Sequence, residues 1–199
     1  MAGTRSVRDS DLIDALEEAD AERFEGSVWR VVREGKDPCL CGSPGGRWDD
    51  RTFDVLYTST EADGAIAEMH FHLLRGQPVI PSKVRYRLYE LSLTLPSMLS
   101  LPTVEHLAKL KLDVSKFGRL SYDDRENEYP RTQDVAEVAH FLGYHGMLVP
   151  SARWRCGNIV AFCDSLPAGS IDTEREHGLI DWPTWQREHP LAEPHRSTT

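Results

Sequence analysis

No stretch of this chain approaches the roughly 18 consecutive apolar residues that a membrane-spanning helix needs, and Met1 to Asp20 lacks the apolar core of a secretory leader. Cysteine is scarce. Cys39, Cys41, Cys156 and Cys163 are four thiols in 199 residues, which argues against a secreted scaffold stapled by disulfides and leaves free thiols as the expectation. Together these absences predict a cytoplasmic protein with no membrane association. Positive charge is also in deficit: 23 Lys and Arg against 32 Asp and Glu give a net charge of -9. Nonspecific binding to nucleic acid through its phosphates is therefore not expected, while a local basic pocket stays compatible with an acidic total. Familiar signatures are missing too. Gly45-Gly46 is not followed by the Gly-Lys-Ser/Thr of a phosphate loop, no Rossmann fingerprint occurs, and Ser151, preceded by Pro150, has no Gly-x-Ser-x-Gly elbow around it.

What is present fits a single domain with an ordinary core, 40% hydrophobic and 28% charged. Ser10 is placed to cap an amphipathic helix over Asp11 to Glu18. We take residues 1–27 as an N-terminal helical extension, for packing or for partner contact. Val28 to Val32 reads as a strand, with Arg30 facing away from Trp29 and Val31. Gly35 to Gly46 is loop. Val55 to Thr58 is a compact strand, and a helix starting near Glu61 buries Ile66, Met69 and Leu73 until Pro78 and Pro81 end it. Alternation from Val84 to Leu95 predicts one strand or two, and Thr103 to Leu110 a short capped helix. Residues 113–131 are polar, a solvated loop or a lid. Thr132 caps a helix that Gly143 ends, and Asn158 to Phe162 forms the last expected strand. In the tail, 165–199, Trp182 and Trp185 are set to dock on the core, and His189 to Thr199 to fray. The expected class is α+β, with mixed or antiparallel sheets and flanking helices.

The chemistry gathers around Gly45 to Leu74. Strand, turn and helix would bring Tyr57 close to Glu68, a carboxylate set between Ala67 and Met69. Arg30 faces either solvent or a polar cleft, and a planar guanidinium suits a cleft that takes phosphate. Cys39-x-Cys41 with His70-x-His72 invites zinc. Residues two apart on a helix point about 200° away from each other, so those histidines cannot readily share one tetrahedral ion, and no metal site is expected.

Trp29-Arg30-Val31, Gly45-Gly46-Arg47-Trp48, Val55-Leu56-Tyr57-Thr58, Ala67-Glu68-Met69, and Pro150-Ser151-Ala152-Arg153 with Asn158 occur in that order, and together they resemble the RES domain family over 28–164. That family is named for an arginine, a glutamate and a serine, here Arg30, Glu68 and Ser151. Asp49 departs from it, since the family usually has Asn there, and puts the local loop hydrogen bonding in doubt. The resemblance implies an ADP-ribosyltransferase-like fold and a bacterial toxin that degrades NAD, as glycohydrolase or phosphorylase, with NAD as substrate and no resident cofactor. Transfer of ADP-ribose to a protein is the alternative, and a noncatalytic binding module the alternative of another class. In that reading Glu68 stabilises the ribosyl cation, Arg30 and Arg47 clamp the pyrophosphate, and Tyr57 stacks on or bonds near the nicotinamide. Ser151 offers a hydroxyl to phosphate or ribose, and Trp48 and Asn158 complete the binding set. The resemblance further implies a cognate Xre-like antitoxin. Homodimerisation through the N-terminal helix or the tryptophan tail is left open.

Overall fold

Two long strands frame the molecule. In the computed structural model, which describes residues 8–74, 83–117 and 125–190, β1 (Ala21–Arg33) and β3 (Tyr86–Ser100) run antiparallel from Ala21↔Leu99 to Arg33↔Tyr86. The other strands are β2 (Val55–Ser59), β4 (Gly146–Pro150), β5 (Gly157–Phe162) and β6 (Ile171–Leu179), in the order β1-β2-β5-β4-β3-β6. Because β1 also pairs with β3, the first five in that order close into a circuit, and β6 hangs on β3 outside it. Only β3 with β4 is parallel among the described pairings. The class is the α+β single domain that the sequence predicted, with helices around a mixed sheet.

Strand alternation sorts the apolar residues into layers. Along β5, Val160 and Phe162 join one cluster while Ile159 and Ala161 join another, and β2 divides likewise at Val55 and Leu56. Strands buried on both faces read as unbroken apolar runs, which made them visible in the sequence. The first cluster lies under α1 (Ser10–Glu17), α3 (Val104–Lys109) and α4 (Arg125–Phe141), which contribute Leu12, Leu16, Leu107, Val135 and Ala139. The second joins β1 and β3 to β2 and β5 through Val28, Leu91, Leu93, Leu56 and Ile159. On the other face of β1, Val31 meets α2 (Ala62–Leu74) and α5 (Trp182–Glu188) through Ala65, Ile66, Ala67, Trp182 and Trp185. Both tail tryptophans therefore dock, as expected.

Several expectations are corrected. Asp9, not Ser10, caps α1, its carboxylate accepting from the N–H groups of Asp11 and Leu12. That helix is a packing element: Leu12 and Leu16 are buried, and Arg8 pairs with Glu137 on α4. The first strand begins at Ala21, because Ala21 to Ser27 pair with Leu99 to Ser92 although both their faces are largely exposed. β3 continues through Pro96, which sits by a register shift opposite Glu22 and Phe24, where a missing N–H breaks no ladder bond. Residues 125–131 are helix, not loop; α4 starts at Arg125 and carries Pro130, and Thr132 bonds the Tyr129 carbonyl inside it rather than capping it. On α2 the fully buried face includes Ala67 and His70, with Met69 and Leu73 only partly covered. β6 was missed because IDTEREHGL is almost wholly exposed and shows no apolar alternation.

The thiols are corrected as well: Cys41 and Cys163 form a disulfide, whereas Cys39 and Cys156 are free. Gly42 bridges to Val55, and Val55 pairs with Phe162, which places Cys41 beside Cys163 across a separation of 122 residues. Among the described residues no cluster of His, Cys, Asp and Glu could hold a metal, and no helix is long and apolar enough to cross a membrane. The expectations for Pro78 and Pro81, for a lid within 118–124 and for the end beyond 190 lie outside the described residues.

Candidate active site

Glu68 owes its place to how closely α2 lies against β2 and the loop that precedes β5. Gly64 makes this approach possible, since a Cβ there would collide with Ser59 and Cys156. One turn later Glu68 meets residues from beyond β4. Ser151 donates to its Oε1 at 2.7 Å and Asn158 Nδ2 donates to the same oxygen at 2.9 Å. The direction of the serine bond is forced. Ser151 Oγ already accepts the N–H groups of Arg153 and Trp154, at 3.1 and 3.2 Å, so its proton goes to the carboxylate. Asn158 Oδ1 is buried with no partner among the described residues, and the carboxylate beside Nδ2 fixes which way the amide points.

A cleft of about 440 Å³ opens beside this group, walled by Trp29, Arg30, Tyr57, Glu68, Arg153 and Asn158 among others. Arg30 reaches it from the face of β1 that carries Val28 and Val32, and its Nη1 donates to the carbonyls of Pro38 and Leu40 at 2.6 and 2.9 Å. Burial pulls its guanidinium below the usual arginine range, with Cys39 and Asp37 opposing that shift. Arg47 lies over the rings of Phe117 and Tyr129, 4.8 and 5.2 Å from their centroids.

Tyr57 also lines the cleft, but its hydroxyl is engaged. It donates to Asp49 Oδ2 at 2.9 Å and accepts the Trp48 N–H at 3.0 Å. Burial, then the Asp49 charge, pushes this phenol well above its ordinary range, so it remains a donor. Asp49 accepts as well from the N–H groups of Gly45 and Gly46, at 2.6 and 2.7 Å. Thus the acid that stands where the family usually has Asn ties the Gly-Gly-Arg-Trp loop into a closed turn. Gly45 takes a positive φ of 75°, and a Cβ on Gly46 would stand 2.6 Å from the Tyr57 oxygen. Trp48 borders the cleft, but it is almost wholly buried and packs in the first core cluster.

The structure therefore gathers Arg30, Arg47, Trp48, Tyr57, Glu68 and Asn158 on one cleft, with Ser151 bonded to Glu68 at its wall. Two contributors were given no role in the sequence reading, although Arg153 stands in a segment quoted for the resemblance. Arg153 lines the cleft with its guanidinium 3.3 Å from the centroid of the Phe71 ring, and Gln133 on α4 donates to the carbonyls of Gly46 and Asp49 at 2.8 and 3.0 Å. The adjacent Pro150-Ser151-Ala152 pointed toward Arg153; nothing local marks Gln133, whose role depends on α4 passing over the loop.

No curated protein matches the chain. A chain of the solved M. tuberculosis MbcT-MbcA toxin-antitoxin complex superposes with a TM-score of 0.73 at 20% identity, covering 90% of this chain and 97% of that one, a likeness of fold. The RES domain matches residues 27–183, most of the sequence, and with the cleft assembled from the same segments the chain belongs to the RES domain family.

Proposed function

We propose that this chain is the toxin of a toxin-antitoxin pair and that it cleaves NAD at the bond between nicotinamide and ribose. One observation carries the reading: a cleft carboxylate, Glu68, is held through Oε1 by Ser151 and Asn158 at the wall of a pocket whose lining includes arginines. Breaking the glycosidic bond sends its electron pair to the pyridinium nitrogen, so nicotinamide leaves neutral and the ribose carbon takes on oxocarbenium character. A fixed carboxylate next to that carbon stabilises the cation without reorganising. Water adding there gives ADP-ribose and a proton; inorganic phosphate adding instead gives the anomeric phosphate ester. Arg30, Arg47 and Arg153 supply cationic groups for the pyrophosphate, and Trp29 and Tyr57 offer aromatic surface to a base.

Support for a partner comes from the similar fold found in a toxin-antitoxin complex. A cognate antitoxin, of Xre-like type by the family resemblance, would protect the host by covering the cleft. The test of the chemistry is direct. Purified protein is incubated with NAD in the presence and absence of phosphate, beside Glu68→Gln, which should lose on the order of 100-fold in rate or more. NAD loss that is the same in both proteins, or absent from the wild type, sinks the reading. The products separate water from phosphate as acceptor, and label retained on protein would favour ADP-ribosyl transfer.

A further inference from the structure

The tail helix α5 stands behind the cleft, yet it touches both elements that bring Glu68 and Ser151 together. Trp185 Nε1 donates to Asp63 Oδ1 at 2.8 Å, on the helix that carries Glu68. The same indole lies 5.9 Å from the ring of Trp154, and the Trp154 N–H is one of the two that hold Ser151 Oγ. His189 closes the junction, stacked 5.1 Å from Trp185, 5.5 Å from Trp154 and with Nε2 3.5 Å from Asp63 Oδ2. Trp185 is only 6% exposed, so its ring has little room to move.

From this geometry we infer that Trp185 of α5 is a positioning residue that fixes the distance between the 151–156 loop and α2. The loop needs such a brace. Between β4 and β5 it has no regular partner strand, and its internal ties are local: Ser151 N to the Cys156 carbonyl at 2.9 Å, and the Arg153 and Trp154 N–H groups to Ser151 Oγ. Besides the Ser151–Glu68 bond, a further hold on α2 is Arg153 over Phe71, on the far side of Glu68 in sequence from Asp63. Trp185 thus pins one end of the helix to the loop and Arg153 the other, and Glu68 lies between. The Ser151–Glu68 bond spans 2.7 Å, and a displacement near 1 Å would break it and can cost a reaction about 100-fold.

This inference rests on the proposed NAD chemistry for its kinetic readout only; its structural readout stands alone. The experiment compares the full-length wild type with Trp185→Leu, Trp185→Phe and Trp182→Leu. Leu stays apolar but gives up the ring, much of its volume and the hydrogen bond; Phe keeps a ring and loses only the hydrogen bond to Asp63. Trp182, on the same helix and also buried, meets His70 and Tyr86 and serves as the control. Trp185→Leu is expected to raise amide hydrogen exchange across 151–156 and to lower kcat about tenfold or more, with KM changed less than about threefold. Trp185→Phe, which keeps a ring against Trp154 but loses the Asp63 bond, should fall between Trp185→Leu and the wild type in both, and Trp182→Leu should leave loop exchange and kcat near wild type at a comparable loss of melting temperature. Unchanged exchange over 151–156 in Trp185→Leu overturns the inference, as do equal effects of Trp185→Leu and Trp182→Leu. If the wild type consumes no NAD, the functional reading fails, and the exchange comparison still decides the role of α5.

Discussion

Asp49 is fully buried, and both its carboxyl oxygens accept, from Gly45 N–H, Gly46 N–H and the Tyr57 hydroxyl, with no cation among its hydrogen-bond partners in the described residues. An asparagine has one acceptor oxygen, so its amide nitrogen would face a donor whichever way it is turned. Asp49→Asn is therefore expected to cost about 1–3 kcal/mol, the desolvation penalty of a buried unpaired group. Urea denaturation reads this directly, and a variant as stable as the wild type would show that the loop does not depend on two acceptors. Glu68 illustrates the opposite use of a carboxylate. Its donors converge on Oε1, which fixes the group while leaving it at the cleft wall.

Elements in this chain are joined by a few side chains that their own sequence does not advertise. His70 on α2 is one: its Nε2 lies 2.6 Å from Gln186 Nε2 on α5, its ring is packed by Trp182 and Trp185, and Nδ1 has no partner among the described residues. Desolvation lowers its pKa, so the folded state favours the neutral ring. Asp63 on α2 and His189 after α5, which also meet at Trp185, lie 3.5 Å apart. The unfolded chain then binds the proton more readily, and the stability this site holds above about pH 6.5 declines as pH falls below that value. Melting temperatures between pH 5 and 8 should drop more steeply on the acid side in the wild type than in His70→Gln; parallel curves would refute the assignment. The Cys41–Cys163 disulfide is a second such joint, closing the Gly35 to Gly46 loop, whose Pro38 and Leu40 carbonyls hold Arg30, against the end of β5. Reduction, or Cys163→Ser, should lower stability by about 2–4 kcal/mol, as expected for a long closed loop. Equal unfolding midpoints with and without reductant would show that the link contributes nothing.

For the whole molecule, the circuit of strands makes the clusters interdependent: β1 serves the second and third, and β2 and β5 serve the first and second. No layer can be lost without unmaking a strand that another layer needs, so tryptophan fluorescence and far-UV circular dichroism should report one coincident urea transition. Two separated transitions would mean that a layer melts alone. The same interdependence explains what could be read in advance. Val55-Leu56-Tyr57-Thr58 and Asn158 to Phe162 are apolar runs buried on both faces, and α2 and the later part of α4 carry apolar periodicity; these determined the elements and, with the Arg30, Glu68 and Ser151 segments, the parts of the cleft. Local sequence suffices there, because periodicity and turn chemistry act over a few residues. Only the tertiary structure decided that β1 extends back to Ala21, that IDTEREHGL is a strand, that Cys41 finds Cys163, and that Gln133, Arg153 and Trp185 brace the site. Each of these depends on a partner far along the chain, and a pairing energy between distant segments leaves no period in either of them.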